Sequence, residues 1–332
     1  MSSSESETME SEDPVDVSQP ITLANPSDLT LVVGPYGQSI YVCRGALCLA
    51  SPVWNAMLSD KWAERSEKEV EFPDDNPEAL LIVLGIAHLR FKERPKVLLY
   101  RQLVELAVIC DKYDTVAVIR PFLQEWIGFE EMKVGPGMEE WIFVAWTFGI
   151  KDKFIRGVQD LVRDTSADSQ GRLILKHLYG AELNVHPVSL RLPLDLLDCI
   201  SQARQESITK LMNLAFGHLE RSVSTKECVL GSQTCIGNTI GHLLKGLHGA
   251  GIWPNRPEAS TYPRSFQSLY KAISKIKIPQ YTGPVRLVGY DVQHTCGRGI
   301  AGLQSEIDAL NLSIPFGYKE HHLKHIEIQA EK

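Results

Sequence analysis

The stretch PEALLIVLGIAHL, residues 77–89, limits the folds open to this chain more than any other stretch. Asn76 can cap a helix here, Pro77 can occupy its first position, and Glu78 favours the positive end of the helix dipole. Residues 80–89 are apolar on nearly every side of that helix. A helix of this kind is buried all round, so the sequence predicts a helix enclosed by other elements of a globular domain.

The neighbouring residues carry strand and helix signals in a mixed order. Two β-rich runs, DLTLVV at 28–33 and QSIYV at 38–42, flank the turn signal GPYG and predict a hairpin. Ser51-Pro52 predicts a helix start, because a capping hydroxyl precedes proline at the first helical position. EVEF at 69–72 predicts a third strand. Helical patterns in LVELAVICDKYD and TVAVIRPFLQEWI follow, which gives the order β-β-α-α-β-α and then further helices.

Beyond residue 135 the chain has mainly helical patterns. Apolar residues at three- and four-residue spacing predict helices at 138–149, 151–164, 192–222, 236–248, 264–276 and 300–311. VRLVGY, residues 285–290, is the one strand signal that we identify there. No repeat of solenoid length occurs in the sequence. Residues 135–332 are therefore predicted to form a mainly α-helical region.

Composition narrows the classes of function. The formal net charge of −7 argues against a protein whose Lys and Arg side chains neutralise the phosphates of a nucleic-acid backbone. Direct nucleic-acid binding is therefore not expected. No apolar run is long enough to span a membrane. Residues 1–24 are acidic, rich in Ser and poor in apolar residues, which predicts a disordered tail. The seven cysteines include no Cys-x-x-Cys and follow no secretory signal, so we expect reduced thiols in an intracellular protein, nuclear, cytoplasmic or both.

The order of elements and several motifs resemble the BTB/POZ domain. DLTLVVG, followed by a hairpin and an Arg-x-x-Leu helix, is similar to the opening of that family. LCLASPVWNAML resembles its Leu-x-x-x-Ser-x-x-aromatic segment, EVEFPDDNPEALLIVLGIAHLRF its third strand and next helix, and LAVICDKYD its Leu- and Ala-rich helix that ends in Tyr. The resemblance spans residues 28 to about 127. It is nearest to fungal proteins that pair a single N-terminal BTB domain with a helical C-terminal extension.

This resemblance implies both a fold and a class of function. The fold is α/β, more narrowly the α+β BTB/POZ fold with a small sheet flanked by helices, over residues 25–130. The implied function is a protein–protein interaction module that forms a homodimer and binds protein partners, without catalytic residues or cofactors. Family members often act as substrate adaptors of cullin-RING ubiquitin ligases. The cullin would then contact the helix at 77–89, the loop after it and the helix around 111–114, while residues 135–332 would capture a substrate.

Two alternatives to the adaptor stay open. One is a BTB scaffold or transcription-related factor that makes no cullin contact. The other, of a different class, is a metal-binding or enzymatic domain in residues 135–332. Fold alone does not decide between them.

Ten residues are predicted to form the interaction surfaces. They are Asp28, Arg44, Leu47, Leu49, Trp54, Met57, His88, Arg90, Phe91 and Tyr113. The apolar members of the segment 47–57 have two interpretations: they fill the monomer core, or part of them meets a second subunit. The family usually carries a His before the basic residue of the first helix, whereas Cys43 stands there in this chain. An Asp28–Arg44 pair remains the expected feature of that pocket.

The remaining polar motifs favour structural interpretations. Cys228, Cys235, His294 and Cys296 supply the atom types of a zinc site, but neither pair has a common finger spacing. Buried free thiols are common, so the sequence favours that interpretation and predicts no metal.

A literal G-x-G-x-x-G runs from Gly297 to Gly302, but no room follows it for the further strands and the acid of a dinucleotide fold. His321, His322 and His325 are interpreted as part of a solvated tail. The sequence contains no Ser nucleophile elbow, Walker loop or His-Glu-x-x-His, so an enzyme is not expected.

Overall fold

The computed structural model describes residues 19–58, 68–128, 138–176, 182–184, 191–224, 228, 230–287, 289–296 and 302–332. The chain divides into two compact units, Met1–Glu131 with Lys332 and Met132–Glu331. In the described ranges no helix is both long enough and apolar enough to cross a membrane. Most of the predicted tail, residues 1–18, lies outside these ranges, as does nearly all of the Gly-rich motif at 297–302.

The first unit is a small sheet with helices packed on it. Its elements are β1 (Ile21–Thr22), β2 (Leu29–Val33), β3 (Gln38–Val42), α1 (Arg44–Ala50), α2 (Pro52–Met57), β4 (Glu69–Phe72), α3 (Pro77–Ala87), α4 (Tyr100–Tyr113) and α5 (Val116–Ile127). The strands lie in the order β1-β3-β2-β4. β2 pairs antiparallel with β3, while β1 is parallel to β3 and β4 is parallel to β2. The predicted α+β architecture, a small sheet flanked by helices, is confirmed.

The hairpin β2–β3 forms because its residues alternate between the core and the outer face. Leu31 pairs with Ile40 at its centre, and both are fully buried. Gly34 turns the chain with φ of 74°, in the region where a Cβ is disfavoured. A Cβ on Gly34 would also lie 2.7 Å from the ring of Pro77. This glycine therefore lets the hairpin turn approach the first residue of α3.

One strand of the first unit was not predicted. Residues 21 and 22 add β1 to the edge of the sheet, and Leu23 just after them is buried. The ordered chain therefore begins before the predicted boundary at residue 24. Two residues are too short to give a sequence pattern of their own, because the alternation that marks a strand needs at least four.

Helix α3 begins as predicted but is not buried on all sides. The Asn76 carboxamide oxygen accepts a hydrogen bond from the Ala79 N–H at 3.0 Å, and Pro77 takes the first helical position. Five residues of the helix are buried. Leu81 and Ile82 are only half-buried and line a groove instead. The apolar side that exceeds the needs of the core is therefore left facing a surface concavity.

The second unit is mainly helical with two small sheets. Its elements are α6 (Trp141–Phe148), α7 (Lys151–Asp164), β5 (Ser166–Ala167), β6 (Leu173–Lys176), β7 (Glu182–Asn184), α8 (Leu194–Ser224), α9 (Gln233–Gly249), α10 (Phe266–Ser274), β8 (Tyr281–Leu287), β9 (Tyr290–Cys296), α11 (Leu303–Leu312) and α12 (Glu320–Glu331). β5, β6 and β7 form an antiparallel sheet, and β8 and β9 form a hairpin. The six helices predicted for this region are all present, with ends shifted by a few residues. Only the strand signal at 285–290 was identified in this unit, so β5, β6, β7 and β9 were missed.

The predicted solvated tail around His321, His322 and His325 is wrong. These residues lie in α12, which buries His322 and Ile326. The ring of His325 stacks on Trp146 with centroids 3.8 Å apart. Histidine counts as polar in a sequence pattern, although its imidazole can also pack as a flat ring. The three histidines therefore concealed the buried face of α12.

A fully buried arginine organises the interior of the second unit. The Arg204 guanidinium, projecting from α8, donates four hydrogen bonds of 2.7–3.2 Å to the backbone carbonyls of Thr165, Ala259, Tyr262 and Arg264. Desolvation lowers the pKa of Arg204 to about 10, so the group stays charged at neutral pH. It joins the residues after α7 to the irregular segment before α10.

Candidate functional site

Three of the predicted interface residues fill the core of the first unit. Leu47, Trp54 and Tyr113 are almost fully buried, so in this structure they cannot contact a partner directly. The ring of Trp54 lies 5.0 Å from that of Tyr113, centroid to centroid. For these residues the interpretation as monomer core is the one that agrees with the structure.

Tyr113 is also the centre of a buried polar network. Its hydroxyl donates to the Asp75 carboxylate, which forms an ion pair with Lys112 at 2.5 Å. Its backbone carbonyl accepts from the Ser51 hydroxyl, which in turn caps α2 by accepting from the Trp54 N–H. Burial raises the pKa of Tyr113, and the hydrogen bond and negative charge of Asp75 raise it further. The network fixes the start of α2 and the end of α4 to each other.

Asp28 lies beside the start of α1 and contacts its backbone. The Asp28 carboxylate accepts from the Arg44 N–H at 2.7 Å, so it binds the first turn of α1. An imidazole is present after all, because the Cys43 N–H donates to His88 Nε2 at 2.9 Å. His88 Nδ1 lies 2.8 Å from the Leu84 carbonyl, which can only accept. Nδ1 therefore acts as the donor to this carbonyl, and Nε2 acts as the acceptor.

The surface of α1 and α2 leaves apolar side chains uncovered. Leu49 is 91 % exposed and Val53 is 39 % exposed, while Met57 is half-buried. The two helices pack against each other, so these side chains lie on neighbouring elements. Of the apolar interface residues predicted for this segment, Leu49 is the one most available to a second molecule.

Helix α3 ends in a Schellman motif that holds a leucine where glycine is usual. The Arg90 N–H donates to the Gly85 carbonyl at 2.8 Å, and the Leu89 N–H donates to the Ile86 carbonyl at 3.0 Å. Leu89 has φ of 61°, in the left-handed region that costs a residue with a Cβ about 1–2 kcal/mol. Its side chain is 75 % exposed. The domain thus holds a solvent-facing leucine in a strained backbone conformation.

Exposed apolar residues are concentrated just after this motif. Of the seven large hydrophobic side chains exposed in the described part of the first unit, four lie within residues 89–99. They are Leu89, Phe91 (45 % exposed), Val97 (60 %) and Leu99 (70 %). Exposed apolar side chains gathered in one short segment favour a contact site over isolated surface hydrophobics.

The same stretch borders a groove of about 470 Å³. Its floor includes Leu81, Ile82 and Ile86 of α3, and Val97 and Leu98 opposite. Its rim is charged with both signs and includes Glu78, Arg90, Glu93, Arg94, Arg101 and Glu105. We call the groove together with the exposed side chains of Leu89, Phe91, Val97 and Leu99 the docking surface. An apolar centre with a mixed polar rim is the usual composition of a protein-binding surface.

Ion pairs and ring contacts hold the loop of the docking surface in place. The Arg90 Nε donates to the Leu23 carbonyl at 3.0 Å, and its Nη1 contacts Glu93 at 2.9 Å. Arg94 pairs with Glu125 at 2.7 Å and lies over the ring of Phe122. Phe91 packs on the same ring at 5.8 Å. Arg90, predicted as an interface residue, therefore acts first as an anchor of this loop.

The four residues of the rejected zinc set lie together in the second unit. The Sγ atoms of Cys228, Cys235 and Cys296 and one ring nitrogen of His294 are all within 4.8 Å of one another. All four side chains are buried. Spacing along the sequence could not show this, because most of α9 and all of α10 and β8 separate the two pairs.

A second group, Asp195 with His321 and His322, is explained by hydrogen bonds. The Lys319 N–H donates to His322 Nδ1 at 2.9 Å, so the proton of this imidazole lies on Nε2, which donates to Asp195 at 3.0 Å. His321 Nε2 contacts the other carboxylate oxygen at 2.8 Å. Burial lowers the pKa of His322, and the hydrogen bond from His322 lowers that of Asp195. The group is a hydrogen-bonded arrangement at the start of α12 in which only His322 is buried.

Parts of the docking surface were not predicted from sequence. Val97 and Leu99 are not among the ten residues predicted to form interaction surfaces, and the α3 residues of the groove floor were predicted to be enclosed by other elements. The signal was present in the length of the apolar run at 80–89, which exceeds what one face of a helix can bury.

Comparison with known proteins agrees with this architecture. The family model of the BTB/POZ domain matches residues 22–120. A search of curated proteins finds no significant match.

Proposed function

Since residues 22–120 form a BTB/POZ domain, a module of protein–protein interaction, we propose that the protein is an adaptor that binds a cullin N-terminal domain at its docking surface. The same module self-associates through α1 and α2. The second unit supplies the surface that captures a substrate. The adaptor would then hold two partners close together, and the raised effective concentration is its mechanism.

The observation that carries the proposal is the exposed apolar stretch 89–99 beside the groove. Within BTB domains that act as adaptors, the end of the helix corresponding to α3 and the loop after it face the cullin. The uncovered apolar side chains of this domain cluster in that region. Leu89 supports the proposal further, because its strained backbone and its exposure gain nothing for the isolated domain.

The test is a calorimetric titration of the full chain with the N-terminal domain of a cullin from the same organism. We expect a dissociation constant in the micromolar range or below, and a loss of roughly 30-fold in affinity for Leu89→Asp or Phe91→Asp. Tyr36→Asp is the matched control, since Tyr36 is 83 % exposed but lies on the β2–β3 turn. If folded wild-type protein gave no heat of binding, the adaptor proposal would be overturned. If Tyr36→Asp weakened binding as much as Leu89→Asp and Phe91→Asp do, the docking surface would not be the binding site.

Leu89→Gly separates binding from stability. Glycine adopts the left-handed conformation freely, so we expect the free energy of unfolding to rise by about 1 kcal/mol. The same change removes an exposed contact and should weaken cullin binding. Urea denaturation measures the free energy of unfolding of this variant, and calorimetric titration measures its affinity for the cullin domain. A loss of stability would contradict the assignment of strain to this residue.

Self-association is expected to depend on Leu49. Leu49→Glu places a charge in the centre of the α1–α2 surface and should weaken the dimer by roughly tenfold or more. Sedimentation equilibrium over a range of concentrations measures this. Val223→Glu, at an exposed apolar position of the second unit, is the control. A wild-type chain that stays monomeric at every concentration would refute self-association while leaving the cullin contact untouched.

A further inference from the structure

We propose that Cys228, Cys235, His294 and Cys296 bind one zinc ion, which ties the β8–β9 hairpin to the start of α9. The proposal concerns the second unit alone and does not depend on the adaptor function.

Two of the four ligands come from one strand. His294 and Cys296 are two residues apart on β9, so their side chains point to the same face of the hairpin. The burial pattern agrees, because both are buried while Thr295 between them is exposed. Cys296 pairs in register with Tyr281 of β8, whose ring packs against the cluster.

The other two ligands flank a helix cap. Ser232 caps α9 by accepting from the Cys235 N–H at 3.2 Å, and its own N–H donates to Cys228 Sγ at 3.4 Å. Cys235 therefore lies in the first turn of α9. One serine thus positions both cysteines and supplies a hydrogen bond to one sulfur.

The distances fit a tetrahedral ion after small side-chain shifts. Zinc bonds of about 2.3 Å to sulfur and 2.0–2.1 Å to nitrogen place the donor atoms about 3.5–3.8 Å apart. The Cys228 Sγ to His294 Nε2 distance is 3.1 Å, and no two donor atoms are more than 4.8 Å apart. Shifts of about an ångström or less would therefore complete the site.

The chemistry of the donors selects zinc and a structural role. Three soft thiolates and one imidazole form the closed Cys₃His set, which suits zinc and leaves no position for a catalytic water. On binding, the ion displaces the thiol protons to solvent, and His294 binds as the neutral imidazole. Each of the four residues is at most 9 % exposed, and Leu230 and Ile236 also pack on the cluster. Solvent therefore has little access to the ion.

The test is the metal content of the full chain after exhaustive dialysis. Inductively coupled plasma mass spectrometry should find one zinc ion per chain, and the Cys235→Ser/Cys296→Ser double variant should hold roughly tenfold less or lower still. Cys199→Ser is the matched control, because Cys199 is a buried cysteine of the same unit outside the cluster. It should keep the full zinc content.

Cobalt keeps the proposal testable if the double variant fails to fold. The metal-free wild-type chain, titrated with Co²⁺, should show the strong visible bands of tetrahedral cobalt and near-ultraviolet sulfur-to-cobalt bands. Three outcomes would overturn the proposal. They are wild-type protein without zinc whose thiols are all free, a disulfide between two of the cysteines, and zinc that stays in the double variant but is lost on His321→Asn.

Discussion

Arg204→Met is expected to lower the free energy of unfolding of the second unit by roughly 3 kcal/mol or more. The guanidinium satisfies four backbone carbonyls in the interior, and methionine offers them no donor. A buried carbonyl without a partner costs about 1–3 kcal/mol, and relief of the buried charge offsets only part of that cost. Because domains are stable by only about 5–15 kcal/mol, this one change should remove a large share of the total.

Urea denaturation followed by circular dichroism measures this effect. Lys210→Met is the matched control, since Lys210 is exposed on the same helix α8, and its change should stay within about 0.5 kcal/mol. Arg204→Lys should be nearly as harmful as methionine, because a single ammonium cannot reach carbonyls spread around a planar fork. Equal stabilities of wild type and Arg204→Met would show that the four hydrogen bonds contribute nothing.

Trp54→Ala is expected to destabilise the first unit by about 3–5 kcal/mol. The indole is fully buried and packs on Tyr113, so alanine would leave a cavity beside the network that joins α2 and α4. Trp54 Nε1 finds no hydrogen-bond acceptor among the described residues. Trp54→Phe should therefore cost much less, because it keeps most of the apolar volume and removes a buried N–H.

Thermal and urea denaturation of the two variants decide between core and interface roles for Trp54. Val53→Ala, at the neighbouring partly exposed position, should cost under about 1 kcal/mol. If Trp54→Ala left stability unchanged and abolished self-association instead, the residue would belong to the interface as the alternative interpretation held.

The sequence was informative wherever a local pattern determines structure. The hairpin at 28–42, the capped start of α3 and the six helices beyond residue 135 all follow from periodicity, turn residues and caps. The α+β architecture follows from their order and from the resemblance to the BTB/POZ domain, which the family model at 22–120 supports. The apolar run of α3 also held the signal for a groove, which the interpretation as a helix buried all round missed.

Features built from distant contacts could not be predicted in the same way. The left-handed conformation of Leu89 opposes its residue type, since glycine is the usual residue there. His88 replaces the expected imidazole from 45 positions along the chain. The burial of Arg204 arises from carbonyls 39–60 positions away. Pairwise distances of that kind are set by tertiary packing, which local propensity does not encode.

Hydrogen–deuterium exchange on the full chain, with and without a saturating cullin N-terminal domain, tests the central claim most directly. When the partner is saturating, the protected backbone amides report which segment it covers. The account predicts new protection concentrated at residues 85–105, around the Schellman motif and the groove, with the second unit unchanged. If new protection appeared only in the second unit, or in other segments but not at 85–105, the docking surface would not be the site where this domain binds its partner.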